Sequence, residues 1–219
     1  MGIWDRDLTG AKRQRPTMDE VYSPGQVKVL WPFLRRDPSW FVLGGPANGD
    51  EAQCFALRYP TDCRILGIEP SLRMRRHQLE HNFPGTLIAA GLDKHVGVRP
   101  LHSPAGAENC SSMVRDCGGD VHEVPTTTLD AIDADYHFAN AVLWLDIEGM
   151  ELPALRGASA CLRRGAFELI NVEILVDERP DDLTGIADLL TTAGMELVHE
   201  WDWQMAWRNQ IWRLKEQPT

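Results

Sequence analysis

No apolar run in this 219-residue chain approaches the roughly 20 residues needed to cross a bilayer, so a spanning helix is not expected. There is no C-x-x-C pair either. The cysteines, Cys54, Cys63, Cys110, Cys117 and Cys161, are odd in number and irregular in spacing, which argues against a zinc site or a disulfide framework. A reducing, cytoplasmic setting is the expectation. Basic residues are outnumbered, with 22 Lys+Arg against 32 Asp+Glu and a net charge of -10. That balance argues against a general nucleic-acid binder, whose affinity comes from neutralising phosphates. No repeat and no low-complexity tract is present. The opening MGIWDRDLTGAKRQRP carries charges where a secretory signal needs an apolar stretch, and Arg6 stands where N-myristoylation calls for Ser or Thr.

What is present reads as globular α/β. Hydrophobic residues at 43% and charged residues at 25% suit a folded chain with a sizeable core. Residues 1–38 are polar and proline-rich, and form an extension; residues 39–219 form the domain. Within the domain, Trp40 to Leu43 is a buried strand stopped by Gly44-Gly45-Pro46. A helix over Asp50–Tyr59, a strand over Arg64–Ile68, a Ser71-capped helix over Leu72–Asn82 and a strand over Thr86–Ala90 follow. Short connections between alternating strands and helices specify a parallel sheet wrapped by helices. A looser stretch holds one strand near Val96–Leu101. Val142–Ile147 is the cleanest buried strand. Beyond it come a helix over Gly149–Leu162, a strand over Phe167–Val176 and a helix over Asp182–Ala193 closed by Gly194. Strands over Met195–Glu200 and Ala206–Leu214 are joined too tightly for a crossover, so they are antiparallel.

Ligands of such a sheet bind beyond the carboxyl ends of its strands, where strand order reverses. Three segments carry chemistry there. In the loop Gly44 to Gly49, glycines let the backbone approach a ligand, and the following helix offers free N–H donors. Glu69 closes the second strand 20 residues after Gly49, the placement of a carboxylate that accepts both ribose hydroxyls of an adenosine-type cofactor. Asp146-Ile147-Glu148-Gly149-Met150-Glu151 ends the apolar strand with three carboxylates, costly to bury unless paired, bound or wet. Strand alternation points Asp146 and Glu148 to one side, and Glu151 reads as a first-turn helix residue favoured by the dipole.

These segments, with Val124-Pro125-Thr126-Thr127-Thr128-Leu129-Asp130 between them, resemble the FkbM family of S-adenosylmethionine-dependent methyltransferases. The resemblance rests on the glycine loop, the Glu69-Pro70 step, Leu145-Asp146-Ile147-Glu148-Gly149-Met150-Glu151 with Leu155-Arg156-Gly157-Ala158, Val172-Glu173-Ile174, and Ser111-Ser112-Met113. It runs in order over about residues 40–214. Leu43 stands where the family usually has an acidic residue, and Trp144 where it has Lys. The resemblance implies a Rossmann-like methyltransferase sheet, mostly parallel with a C-terminal antiparallel strand, flanked by helices. It implies O-methylation of a hydroxyl on a glycan or small natural product, with S-adenosylmethionine as cofactor. Gly44, Gly45, Asn48, Gly49, Glu69 and Asp146 would then bind cofactor, and Asp146 and Glu148 would be catalytic. No dedicated metal-ligand set and no nucleic-acid partner is expected.

Two rivals use the same residues. A nicotinamide-dependent oxidoreductase would need the same glycines and Glu69, although the loop lacks G-x-G-x-x-G. A non-catalytic, methyltransferase-like binding protein is the reading that Leu43 raises. His77 and His81, one helical turn apart among arginines, read as a solvated helix face, as does the basic patch Lys12-Arg13-Gln14-Arg15. Trp201, Trp203, Trp207 and Trp212 read mainly as packing residues, and His122 or His137 as minor candidates for a base.

Overall fold

The computed structural model describes residues 27–104, 110–203 and 207–216. The basic patch at 12–15 lies outside these residues, as does the side chain of Trp203. At the centre, β1 (Trp40–Gly44) is buried along its whole length between two parallel neighbours, β2 (Arg64–Ile68) and β7 (Ala141–Leu145). On one side the sheet continues from β2 to β3 (Thr86–Ile88), again parallel. On the other, β7 pairs in parallel with β8 (Phe167–Leu175). The chain then forms an antiparallel hairpin of β9 (Met195–Trp203) and β10 (Trp207–Leu214), in which β10 lies against β8 and β9 takes the edge. The order β3-β2-β1-β7-β8-β10-β9 reverses direction between β1 and β7. That reversal opens a crevice at the carboxyl ends of these two strands, where binding was expected.

Strands apolar on both faces need cover on both. Over one face, Val42, Leu143, Ile170 and Val172 pack against Leu155, Ile186 and Leu190. The last two belong to helix α6 (Pro180–Thr192), which ends at Gly194 with φ +83°, as the sequence predicts. Over the other face, Phe41, Leu43, Val142 and Leu169 meet Phe55 of helix α1 (Asp50–Arg58). The Phe41 and Phe55 rings stack 3.6 Å apart, and Trp31 sets its edge on Phe55 at 5.0 Å. Val27 and Leu30 are fully buried in this layer. Leu43 is a core residue of the same layer.

The structure departs from the sequence reading in three places. The segment between β3 and β7 holds a second sheet, ordered β4-β6-β5, made of β4 (Gly91–Leu92), β5 (Gly97–Ser103) and β6 (Asp120–Thr127). Only β5 was expected, because β6 is polar, largely exposed and contains Pro125. Helix α3 (Leu129–Tyr136) follows β6, with Thr128 as a side-chain N-cap. The helix expected over 149–162 is two helices, α4 (Glu151–Arg156) and α5 (Ser159–Arg164). They break at Gly157, whose Cα packs so tightly on the Asp93 carbonyl that a Cβ would come within 2.3 Å of it. Asp130 then caps α5, accepting the N–H groups of Ala160 and Cys161. Helix α2 (Leu72–Glu80) carries the predicted cap, Ser71 Oγ accepting the Met74 N–H.

Candidate active site

The two loops at the reversal are knitted together by their backbones. Gly45 adopts φ +70° and donates its N–H to the Ile68 carbonyl at 3.1 Å, while the Asp146 N–H reaches the Gly44 carbonyl at 3.3 Å. Gly49, at φ +83°, turns the chain into α1. The loop tip is held from behind, since the buried Gln78 donates to the Ala47 carbonyl at 2.7 Å. A small pocket open to solvent lies above these loops. Its floor is Gly45, Ala47 and Ile68; one wall is Glu69, Pro70 and Met74; the small sheet and the loop before β6 contribute Leu92, Leu101, Ser111 and Met113; Asp146 and Glu148 close it. Of the seven residues expected to form the site, Gly45, Glu69, Asp146 and Glu148 line this cavity. Gly44 packs instead against Leu92, Leu145 and Ile147; Asn48 is exposed, and neither it nor Gly49 lines the cavity.

Glu69 sits at the end of β2 with only 6% of its surface exposed. Its Oε1 accepts the Ser71 N–H at 2.8 Å, and Arg75 braces the turn by donating to the carbonyls of Glu69 and Pro70. Burial pushes its carboxyl up to about 7, against the Ser71 hydrogen bond and the Arg75 charge, which favour ionisation. A buried carboxylate beside apolar walls is equipped to accept hydroxyl hydrogens from a ligand.

The acidic segment does not continue as a strand. β7 ends at Leu145, and Glu148 turns to φ +53°, so Asp146 and Glu148 do not share a side by alternation. Glu148 is bound by Arg115, whose Nη2 donates to Oε2 at 2.9 Å and whose other arm reaches Glu178 at 3.5 Å. Ser112 Oγ donates to the Glu148 carbonyl at 2.8 Å, so the loop before β6 is fastened to this turn by side chain and backbone. Glu151 is 3% exposed and accepts the N–H groups of Ile147 and Gly149, holding the turn's shape from within. Burial pushes it up to about 7. Asp146 is held well above the ordinary carboxylate range, first by burial and then by the negative charge of Glu173 on β8. Arg115 was not singled out from the sequence, nor was the influence of Glu173 on Asp146; only the fold brings them here. His122 and His137 are exposed and outside the cavity, and the His77 and His81 rings lie 4.1 Å apart on the surface of α2. Among the described residues, no group of three or more His, Cys, Asp or Glu is placed to hold a metal ion.

A seven-stranded sheet with this order, one antiparallel strand beside its edge and a cavity at the reversal defines the Rossmann-like methyltransferase class. The comparisons agree. A crystal structure of an FkbM methyltransferase from Methylobacillus flagellatus KT superposes with a TM-score of 0.56 at 17% identity, over 91% of this chain and 48% of that one. The chain therefore spans about half the length of that protein. A putative O-methyltransferase from Klebsiella pneumoniae superposes with a TM-score of 0.54 at 12% identity, covering 89% of this chain and 82% of the other. Fibrillarin in its Nop5p complex gives 0.51 at 9% identity, over 82% and 74%. No curated protein sequence matches. The methyltransferase FkbM domain matches residues 45–197, and the chain belongs to that family.

Proposed function

We propose that the protein transfers a methyl group from S-adenosylmethionine to a hydroxyl oxygen of a glycan or small natural product. The observation that carries this reading is the meeting of Glu69 and Asp146 in one cavity at the switch point of a methyltransferase-family sheet. The donor set fits the cofactor. Glu69 would accept the ribose hydroxyls, Pro70 and Met74 would flank the base, and the Gly45–Gly49 backbone would hold the amino-acid end. When bound, the cofactor supplies an electrophilic methyl on a cationic sulfur. Glu148, clamped by Arg115, keeps the loop before β6 closed over the cavity and helps exclude water. Asp146 would orient the acceptor hydroxyl and, once ionised, take its proton. Alignment supplies much of the rate in such a displacement, and a positioned base adds about 10²–10⁴-fold. The net charge of -10 favours a small hydroxylated acceptor over nucleic acid, and the odd, irregularly spaced cysteines suit a cytoplasmic setting. The test is calorimetric titration with S-adenosylhomocysteine beside NAD, with Glu69→Ala as control, then methyl transfer to a panel of hydroxylated acceptors. Saturable binding of the nucleoside that is lost in the control supports the reading. NAD binding alone would replace it with an oxidoreductase, and tight acceptor binding without transfer would leave a binding protein.

A further inference from the structure

Helix α2 and strand β6 enclose a second cavity, open to solvent, beside the cofactor pocket. Its volume of about 670 Å³ falls inside the roughly 300–1,000 Å³ of small-molecule sites. Pro70 and Leu101 line both spaces and form the wall between them, whereas Gly45, Glu69 and Asp146 line the cofactor pocket alone. Ala89, Leu101 and Val124 make the second cavity apolar, and so does Leu72, which is 56% exposed. A large aliphatic side chain left this open at a cavity offers contact to a ligand. The charged groups are divided by element: Arg73, Arg75 and Arg76 come from α2, and Asp120 and Glu123 from β6, with His122 between them in sequence. Along Leu72–Glu80 the three arginines meet one acid, Glu80, in a chain whose net charge is -10. The α2 wall is thus a local cationic surface, and the guanidinium fork matches the paired oxygens of a carboxylate, sulfonate or phosphate. Arg75 donates to the carbonyls of Glu69 and Pro70, bonds that leave its charge in place.

We infer that this cavity is a second binding site, which takes a small amphipathic anion: an aryl or alkyl body against Leu72, Ala89 and Val124, with its acidic group on the arginines of α2. Its occupant also acts on the cofactor pocket, a part of the inference that rests on the cofactor assignment above. The link is the turn from Glu69 to Ser71. Ser71 and Arg75 both line the second cavity, and both hold the turn, Ser71 through its N–H to Glu69 Oε1 at 2.8 Å and Arg75 through the two carbonyls. A ligand that draws Arg75 toward its own oxygens loosens the brace behind Glu69, the acceptor for the ribose hydroxyls. Occupation of either site therefore weakens the other, and by the same factor in both directions.

The experiment is fluorescence titration of the intact protein with 8-anilinonaphthalene-1-sulfonate, beside the uncharged N-phenyl-1-naphthylamine, which has the same rings without the acid. The expected result is one saturable site for the sulfonate and binding of the amine weaker by about tenfold or more, the worth of a charge-assisted contact. Arg76→Ala should weaken the sulfonate by about tenfold and leave the amine unchanged. Ala89→Trp, which fills the cavity from an exposed position, should abolish binding of both. Both substitutions are at exposed residues, and circular dichroism checks that the variants are folded. Equal affinity for the two probes would overturn the inference, as would sulfonate binding untouched by either variant. Saturation with S-adenosylhomocysteine should weaken the sulfonate several-fold without excluding it. Complete exclusion would show that the cavity belongs to the cofactor and overturn the second site, and unchanged affinity would overturn the link through the turn. Failure of the folded protein to bind S-adenosylhomocysteine would overturn the cofactor assignment and the link, while the probes and variants still decide the second site.

Discussion

The backbone carbonyl of Asp146 occupies the space where a side chain on Gly45 would have to go: a Cβ at Gly45 would lie 2.0 Å from that oxygen. The glycine thus serves the contact between two active-site loops as much as the turn it makes. Gly45→Ala should destabilise the fold by more than about 2 kcal/mol, since it combines a left-handed φ with a backbone clash. Gly194→Ala is the control, with φ +83° but open space around it, and should cost only about 1 kcal/mol. Denaturant midpoints of the two variants decide the point.

Glu69→Gln should weaken binding of S-adenosylhomocysteine by about tenfold to a hundredfold, the range for a hydrogen bond to a charged group. Because the Glu69 carboxyl is pushed up to about 7, wild-type affinity should rise between pH 6 and pH 8 as the acceptor ionises. The same titration should be flat in the variant.

Glu151 gives a prediction about stability. Its folded-state carboxyl titrates near 7 against an ordinary value of 4.5, so the folded chain keeps a proton that the unfolded chain has lost. This contribution is fully present below about 4.5 and disappears as pH rises through 7. Thermal midpoints should therefore fall between pH 5 and pH 8, and Glu151→Gln should make that fall shallower.

Asp130 behaves in the opposite sense. It accepts the first N–H groups of α5, and these bonds hold its carboxyl below the ordinary range of 3.8. Its stabilisation is present above that value and is lost as pH falls through the lowered one. Asp130→Ala should cost about 1 kcal/mol at neutral pH. That corresponds to about 2–4 °C in the thermal midpoint, with the deficit shrinking in acid.

The main sheet was legible because its strands are short, apolar on both faces and separated by helices with ordinary caps. Ser71 and Gly194 act where their residue types predict. The tight connection before β10 forced an antiparallel pair, and the structure has one. The small sheet was not legible, since a strand such as Asp120–Thr127 buries only Val124 and Thr126 and shows no apolar period. The split of α4 from α5 was hidden for another reason. Gly157 is tolerable in an isolated helix, and its close packing on Asp93 and its carbonyl's bond to the Asp130 N–H arise only in the fold. At the site, Glu69 and Asp146 could be read from their places at strand ends. The turn of Glu148 away from the strand could not, because it depends on Glu151 gathering two N–H groups and on Arg115 arriving from a loop more than thirty residues earlier. Contacts across such separations leave no local trace in composition.

The position of β10 bears on how the molecule is made. It follows both β8 and β9 in the chain, yet it fills an interior slot between them and donates an amide N–H to Glu173. Until it is in place, β8 presents an open edge to any extended segment nearby. A nascent chain can thus have its glycine loop and Glu69 wall built while β8 still lacks its neighbour. Competence of the site is tied to completion of the sheet.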